Sequence, residues 1–390
     1  MRSKIVPILN LLEDYEKLKP LTDRRPVASL PFACRYRLID FPFSSLYNAE
    51  SESAALFISG SGHSLYDHIR SGSTWGLDSS AGGGVFTHSQ LEKKSATGTD
   101  SKHGKFYYDD YYKYVTRSRA EYVAIMGSSL LSNINLNSLL HFHEDKDGEV
   151  TIVYKKIRRD DLIADSKLSA LQIDNEDSSK VEGVNHISDL NGDEHIYLNM
   201  ETMLLNKKTF LDFLFKAKNE DLSVNVANFI SFTIEEGCTV YGYEYTGYLK
   251  AIEDIKSYYD ANMDMLDEDN FNALFYRADP VRTRAKNSAP TYYGSTAVIE
   301  NAQFANDCEV YGTVKHSIVF RKVNIAEGAH IENSIIMQDS SIEEGAVLKN
   351  VILDKHVYVK NGARLEGTPE NPLVIAKNSV VYSNGEIEEG

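Results

Sequence analysis

The sequence predicts an α/β domain on a mostly parallel sheet, followed by a C-terminal parallel β-helix. Three observations carry this expectation. Glycine recurs every 17 residues at Gly328, Gly345 and Gly362, within Ala326-Glu327-Gly328-Ala329, Glu343-Glu344-Gly345-Ala346 and Lys360-Asn361-Gly362-Ala363. The first 270 residues lack that period and instead alternate apolar runs with helical patterns. The chain has 390 residues, 42% hydrophobic and 25% charged, enough for two or three domains with buried cores.

In the N-terminal part, Lys4–Leu9, Ala54–Ile58, Tyr122–Met126 and Val150–Tyr154 read as strands. Tyr107–Arg119, Leu136–Asp145, Lys207–Lys218 and Ala251–Leu266 read as helices, the last closing the domain. Strand–helix alternation on this scale predicts a largely parallel sheet. Tyr276–Gly294 carries Pro280 and Pro290, lacks periodicity and reads as a linker. The expected boundaries are therefore 1–275, 276–295 and 296–390. Within the repeats, Asn333 and Asn350 keep the 17-residue interval, with Ser334-Ile335-Ile336, Asn350-Val351-Ile352 and Val357-Tyr358-Val359 as short strands. Gly and Asn tolerate the positive φ that coil corners need. Ala297-Val298-Ile299 and Ser317-Ile318-Val319 read as weaker coils. The competing β-sandwich requires two equal glycine intervals with matching flanks by accident.

Composition narrows the function. The apolar fraction is too high for a disordered chain. A net charge of −16, from 41 basic and 57 acidic residues, repels phosphate backbones and argues against nucleic-acid binding. Cys34, Cys238 and Cys308 are odd in number and far apart, which argues against disulfides and structural zinc. Neither a secretory signal nor an 18-residue apolar run is found, so a cytoplasmic, membrane-free protein is expected.

Few motifs carry chemistry. Ala81-Gly82-Gly83-Gly84-Val85 lacks the Gly-Lys-Ser/Thr ending of a phosphate loop and reads as a flexible surface loop. Cys34 has no nearby histidine and reads as an inert thiol. His141 and His143, two apart on a helix, point in different directions. His316, His330 and His356 would matter if the β-helix were an acyltransferase with a histidine base. The segment around Arg24, Arg25, Arg35 and Arg37, with Lys19, concentrates cations in an acidic chain. Guanidinium groups match phosphate geometry, so this is either an anion site or a set of arginines paired with Asp23 and Asp40.

Pro31-Phe32-Ala33-Cys34-Arg35-Tyr36-Arg37-Leu38-Ile39-Asp40-Phe41 resembles the Pro-Phe-Gly-Gly-Lys-Tyr-Arg-Ile-Ile-Asp-Phe segment of bacterial glucose-1-phosphate adenylyltransferases (ADP-glucose pyrophosphorylases). Ser257–Leu266 is similar to the helix closing their catalytic domain, and Pro280-Val281-Arg282-Thr283 to their linker. The resemblance implies a Rossmann-like nucleotidyltransferase domain of the GT-A-like kind and a left-handed β-helix. It also implies a role in making ADP-glucose and pyrophosphate from ATP and glucose 1-phosphate for glycogen.

The family's catalytic groups are missing. Leu12-Glu13-Asp14-Tyr15-Glu16-Lys17 stands where its glycine-rich phosphate loop belongs, placing carboxylates where phosphate oxygens would come. Val27 replaces a phosphate lysine, and Ile187 falls where the sugar-phosphate motif has lost its lysine. Ser128 and Ala251 replace the two aspartates that hold Mg²⁺, unless Glu253 or Asp254 serves instead. This pattern resembles the GlgD-type subunit. It implies a non-catalytic or impaired regulatory subunit in a mixed tetramer with a GlgC-type catalytic subunit, Mg²⁺ being bound only by that partner. The resemblance places Arg24, Arg25 and Arg37 in the family's effector-binding region, so a phosphorylated metabolite is the expected ligand. Two other readings stay open: a self-sufficient nucleotidyltransferase with relocated ligands, and a β-helix acyltransferase with a decayed α/β domain.

Overall fold

The structure, a computed structural model, describes residues 3–12, 16–58, 62–78, 83–89, 104–174, 177, 179–190, 195–220, 222, 224 and 226–390. The chain forms two compact units. One comprises Met1–Asp14, Phe41–Ala251 and Ala278–Arg282; the other comprises Tyr15–Asp40, Ile252–Arg277 and Thr283–Gly390.

The first unit is built on a nine-stranded sheet. Its strands are β1 (Ile5–Leu11), β2 (Ser53–Ile58), β3 (Gly84–Ser89), β4 (Tyr122–Met126), β5 (Val150–Arg158), β6 (Ser169–Ile173), β7 (Val181–His186), β8 (His195–Asn206) and β9 (Val240–Glu244). The main path runs β7-β6-β8-β4-β1-β2-β3, with β5 pairing β8 and β9. Strand β1 lies parallel to both β2 and β4, in register Ile8↔Ala55 and Ile5↔Tyr122. Buried on nearly every residue, β1 reads as a continuous apolar run, as a central parallel strand covered on both faces should. The long strand β8 runs antiparallel to β4, β5 and β6, and its register shifts between Asn199 and Met203. Part of the expected loop at Ala81–Val85 is strand: Gly84 and Val85 open β3, while Ala81 and Gly82 lie outside the described residues.

The helices of this unit are α1 (Asp40–Asn48, whose first residue lies in the other unit), α2 (His63–Ile69), α3 (Gly104–Arg117), α4 (Leu136–Lys146), α5 (Lys207–Glu220) and α6 (Val226–Glu235). Asn135 caps α4, its side chain accepting from the Ser138 N–H at 2.7 Å. Behind the sheet, Phe57 stacks on Tyr111 with centroids 3.6 Å apart, and Phe213 packs edge-on against Phe229. His143 is buried in α4 and bonds Thr151 Oγ1 at 2.8 Å, so it is a core histidine.

The second unit contains a left-handed parallel β-helix. Successive coils pair Thr313↔His330↔Val347↔Arg364, each step 17 residues. The weaker coils belong to the same ladder at a shorter step, Val298↔Thr313, and the last step lengthens to Ile352↔Val374. Gly328, Gly345 and Gly362 have φ of 74°, 69° and 68°, and Asn333 and Asn350 have 46° and 51°. The left-handed corners explain the repeat. His316 stands one coil before Asn333 with φ 42°, and His356 turns another corner with φ 59°. Both serve as turn residues here, and His330 lies 3.8 Å from Glu332.

Segments from elsewhere in the chain join this unit. Helix α7 (Ile255–Met263), expected to close the α/β domain, instead belongs to the unit that holds the β-helix. Its Tyr258 hydroxyl donates to Pro31 O, Asn262 Oδ1 accepts from Ala33 N at 3.1 Å, and Tyr259 donates to Asn333 O at 2.7 Å. Those long-range bonds, invisible to local periodicity, outweigh chain order. The expected linker is likewise divided: Ala278–Arg282 belongs to the first unit, and Tyr292–Tyr293 already pairs with Glu309–Val310.

The coil core offers a direct test. Ile331 is fully buried, in register with Val314 and Leu348. Changing Ile331→Ala should lower stability by about 2–5 kcal/mol in urea denaturation. A loss well below 1 kcal/mol would contradict the packing described.

Candidate functional site

Two groups of side chains bear on function, one in each unit. The first lies where the family resemblance expects a catalytic centre. Strand β4 ends at Met126 and leads into Gly127, Ser128 and Ser129, both serines being buried. Directly after them, Leu130–Leu131 pairs antiparallel with Lys250–Ala251, setting Ala251 opposite Leu130. Ile187 is fully buried in the one-turn helix Ile187–Asp189. It packs in an apolar cluster with Leu168, Ile196 and Leu198, against which Leu130, Leu249 and Ala251 also pack. The structure therefore brings Ile187 and Ala251 into one apolar cluster bordered by the strand that follows Ser128. A cavity lined by Met126, Gly127, Leu130 and Thr202 measures about 10 Å³, room for one water.

These residues do not fit Mg²⁺. The ion needs hard oxygen ligands, usually one or two carboxylates, whereas the two positions offer a hydroxyl and a methyl group. Asp254 does not stand in for them: its carboxylate caps α7, accepting from the Ser257 N–H at 2.7 Å. Among the described residues, no group of three or more His, Cys, Asp or Glu side chains could hold a metal ion. Val27 lies in the other unit, buried in the one-turn helix Val27–Ser29. Of the stretch replacing the phosphate loop, Leu12 packs on the core and Glu16–Lys17 open a one-turn helix, while Glu13–Tyr15 lie outside the described residues.

The second group is the arginine segment. Pro31–Phe32 pairs antiparallel with Tyr36–Arg37 around a turn in which Ala33 and Cys34 take φ of 42° and 64°. The four arginines differ in exposure. Arg24 is exposed and donates to the main-chain oxygen of Gly390, and Arg35 is exposed over the Tyr36 ring. Arg25 and Arg37 are buried. Arg25 forms a hydrogen-bonded ion pair with Asp354, the two side chains being 5% and 2% exposed. Its Nη1 is buried without a hydrogen-bond partner among the described residues. The main-chain N–H of Arg37 donates to Asp40 Oδ2 at 2.9 Å. Cys34 is buried, and burial pushes its thiol up, as for an inert cysteine.

Sequence reasoning missed Asp354 and Lys355. Burial and the charges of Arg37 and Arg25 lower the Lys355 ammonium to about 7, against the opposing pull of Asp354. Lys286 contributes to the same field. Arg25, Arg37 and Lys286 thus add positive charge to the field at Lys355. A signal for Asp354 existed in the repeat. The preceding coils carry Phe320 and Met337 at that position, both buried, so a carboxylate there breaks an apolar register.

Comparisons with known proteins agree with this layout. The nucleotidyl transferase family profile matches residues 16–161, and the GlmU-like C-terminal hexapeptide profile matches 288–371. The glycogen biosynthesis protein GlgD of Geobacillus stearothermophilus is 31% identical, across 97% of this chain and 98% of that protein. GlgD of Bacillus subtilis is 29% identical across 93% of both chains. The glucose-1-phosphate adenylyltransferase of Fusobacterium nucleatum is 26% identical over 81% of this chain and 80% of its own. Similarity at this level over nearly the full length places the chain in the GlgD family of glycogen biosynthesis proteins.

Proposed function

We propose that this chain is a non-catalytic regulatory subunit of ADP-glucose synthesis, working with a GlgC-type catalytic subunit in a mixed tetramer. The partner converts ATP and glucose 1-phosphate to ADP-glucose and pyrophosphate and binds the Mg²⁺ that this needs. The observation that carries this reading is the apolar cluster holding Ile187 and Ala251. Apolar packing there gives phosphate oxygens and a divalent cation no compensating ligands, and desolvating those charges uncompensated is costly.

The regulatory half of the reading rests on Arg25, Arg37 and Lys355. Arg25 offers an unused buried donor, and Arg37 and Lys355 add positive charge beside it. A phosphorylated metabolite entering that field would gain charge-assisted hydrogen bonds. To regulate the partner, it must bind two states of the complex with different affinity, a coupling of about 1–3 kcal/mol.

Assayed alone with ATP, Mg²⁺ and glucose 1-phosphate, the chain should form no ADP-glucose above background. Turnover near that of the catalytic relatives would sink the proposal. Ser128→Asp combined with Ala251→Asp should not create activity, because groups acting as a unit are strongly non-additive. The double change should instead lower the melting temperature, since both positions are packed.

Acidity supplies a further check. Lys355 titrates near 7, so it is charged at pH 6 and mostly neutral at pH 8.5. Sulfate keeps its charge across that range. Its affinity should fall about three- to tenfold from pH 6 to 8.5, one unit of pKa change corresponding to a tenfold change in binding. In Lys355→Met the pH dependence should disappear. An affinity that is flat or rises with pH in the unaltered protein would remove Lys355 from the anion site.

A further inference from the structure

The first unit holds a second cleft, at the opposite end of its sheet from Gly127, with a volume of about 620 Å³. Ile5, Ser53 and Gly83, at the amino ends of β1, β2 and β3, line one side, and the last turns of α3 line the other. Gly83 approaches the main chain so closely that a Cβ would lie 1.8 Å from Glu52 O, which gives the glycine tract a structural reason.

The polar lining is unusual for so acidic a chain. Lys113, Arg117 and Arg119 are exposed on the cleft and have no ion-pair partner among the described residues. Lys4, by contrast, is held by Glu144 at 2.7 Å. Carboxylates are not lacking, because Asp110 and Glu121 line the same cleft. The C-terminal end of α3 stabilises Lys113 and Arg117 through its dipole, but that does not explain Arg119. Nor does it explain Phe86, which is 45% exposed in the same cleft with its ring centroid 5.8 Å from that of Tyr114.

We propose that this cleft binds a phosphorylated sugar. The guanidinium groups of Arg117 and Arg119, with Lys113, match a phosphate dianion. The ring of Phe86 covers the C–H face of the sugar, and Asp110 and Glu121 accept from its hydroxyls. A few polar groups converging beside an exposed apolar face are what a small-molecule site requires. The residues used lie entirely in the first unit, so the inference is independent of the Arg25 cluster.

Isothermal titration of the full chain with D-glucose 6-phosphate tests it. Saturable binding is expected, with D-glucose and inorganic phosphate each at least tenfold weaker than the ester. The double change Arg117→Ala and Arg119→Ala should weaken binding at least tenfold without altering the thermal unfolding midpoint, because both side chains are exposed. Phe86→Ser should weaken the ester more than inorganic phosphate. Three outcomes overturn the proposal: absence of saturable binding, binding undiminished in the double variant, or inorganic phosphate matching the ester.

Discussion

The ion pair between Arg25 and Asp354 is the constraint on which the second unit depends. It joins a segment near the N-terminus to a late coil of the β-helix, and both side chains are almost wholly buried. Removing one partner of such a pair strands a charge, at a cost of about 3–5 kcal/mol. In the same unit, α7 secures the hairpin at Pro31–Arg37 through Tyr258 and Asn262. Asp354 satisfies one face of Arg25, while Arg37 and Lys355 crowd the same field. On the proposed reading, stability and anion affinity draw on the same side chains. Lowering the Lys355 pKa has a definite sign: between pH 7 and its ordinary value near 10.5, the unfolded chain binds the proton that the folded chain lacks. This group's contribution to stability thus rises with pH across that window.

The first unit differs at the positions where the family resemblance expects charged ligands. In an active nucleotidyltransferase of this type, the carboxyl edge of the sheet must hold anionic phosphates and a cation, each requiring polar ligands. Here the corresponding positions are filled by Ile187, Ala251 and their apolar neighbours, with two buried serines beside them. Returning one polar group to such a cluster adds a desolvation cost before it adds any ligand. This asymmetry supports reading the changes as a coherent conversion.

Much of this was legible in the sequence because it is local. The 17-residue interval of Gly328, Gly345 and Gly362 reports the left-handed corners directly, and the N-terminal strand and helix patterns coincide with β1, β2, β4, α4 and α5. The replaced residues could be named from motif spacing. What the sequence hid is non-local. That Ala251 faces Leu130 and shares a cluster with Ile187 depends on pairing across 121 residues. That Arg37 is buried while Arg35 is not depends on a hairpin whose turn residues, Ala33 and Cys34, carry no turn signal. Asp354 was detectable only by comparing it with Phe320 and Met337, once the coil register was known.

The most direct test of the regulatory role is made in the mixed complex. The rate of ADP-glucose formation by the catalytic subunit would be measured against effector concentration, first alone, then with this chain, then with its Arg25→Gln, Lys355→Met variant. Adding the chain is expected to shift the half-saturating effector concentration at least fivefold, in keeping with a coupling of about 1 kcal/mol. The variant is expected to assemble but abolish that shift. An unchanged effector response on adding the chain, or a shift that survives in the variant, would contradict the role assigned to the Arg25 cluster.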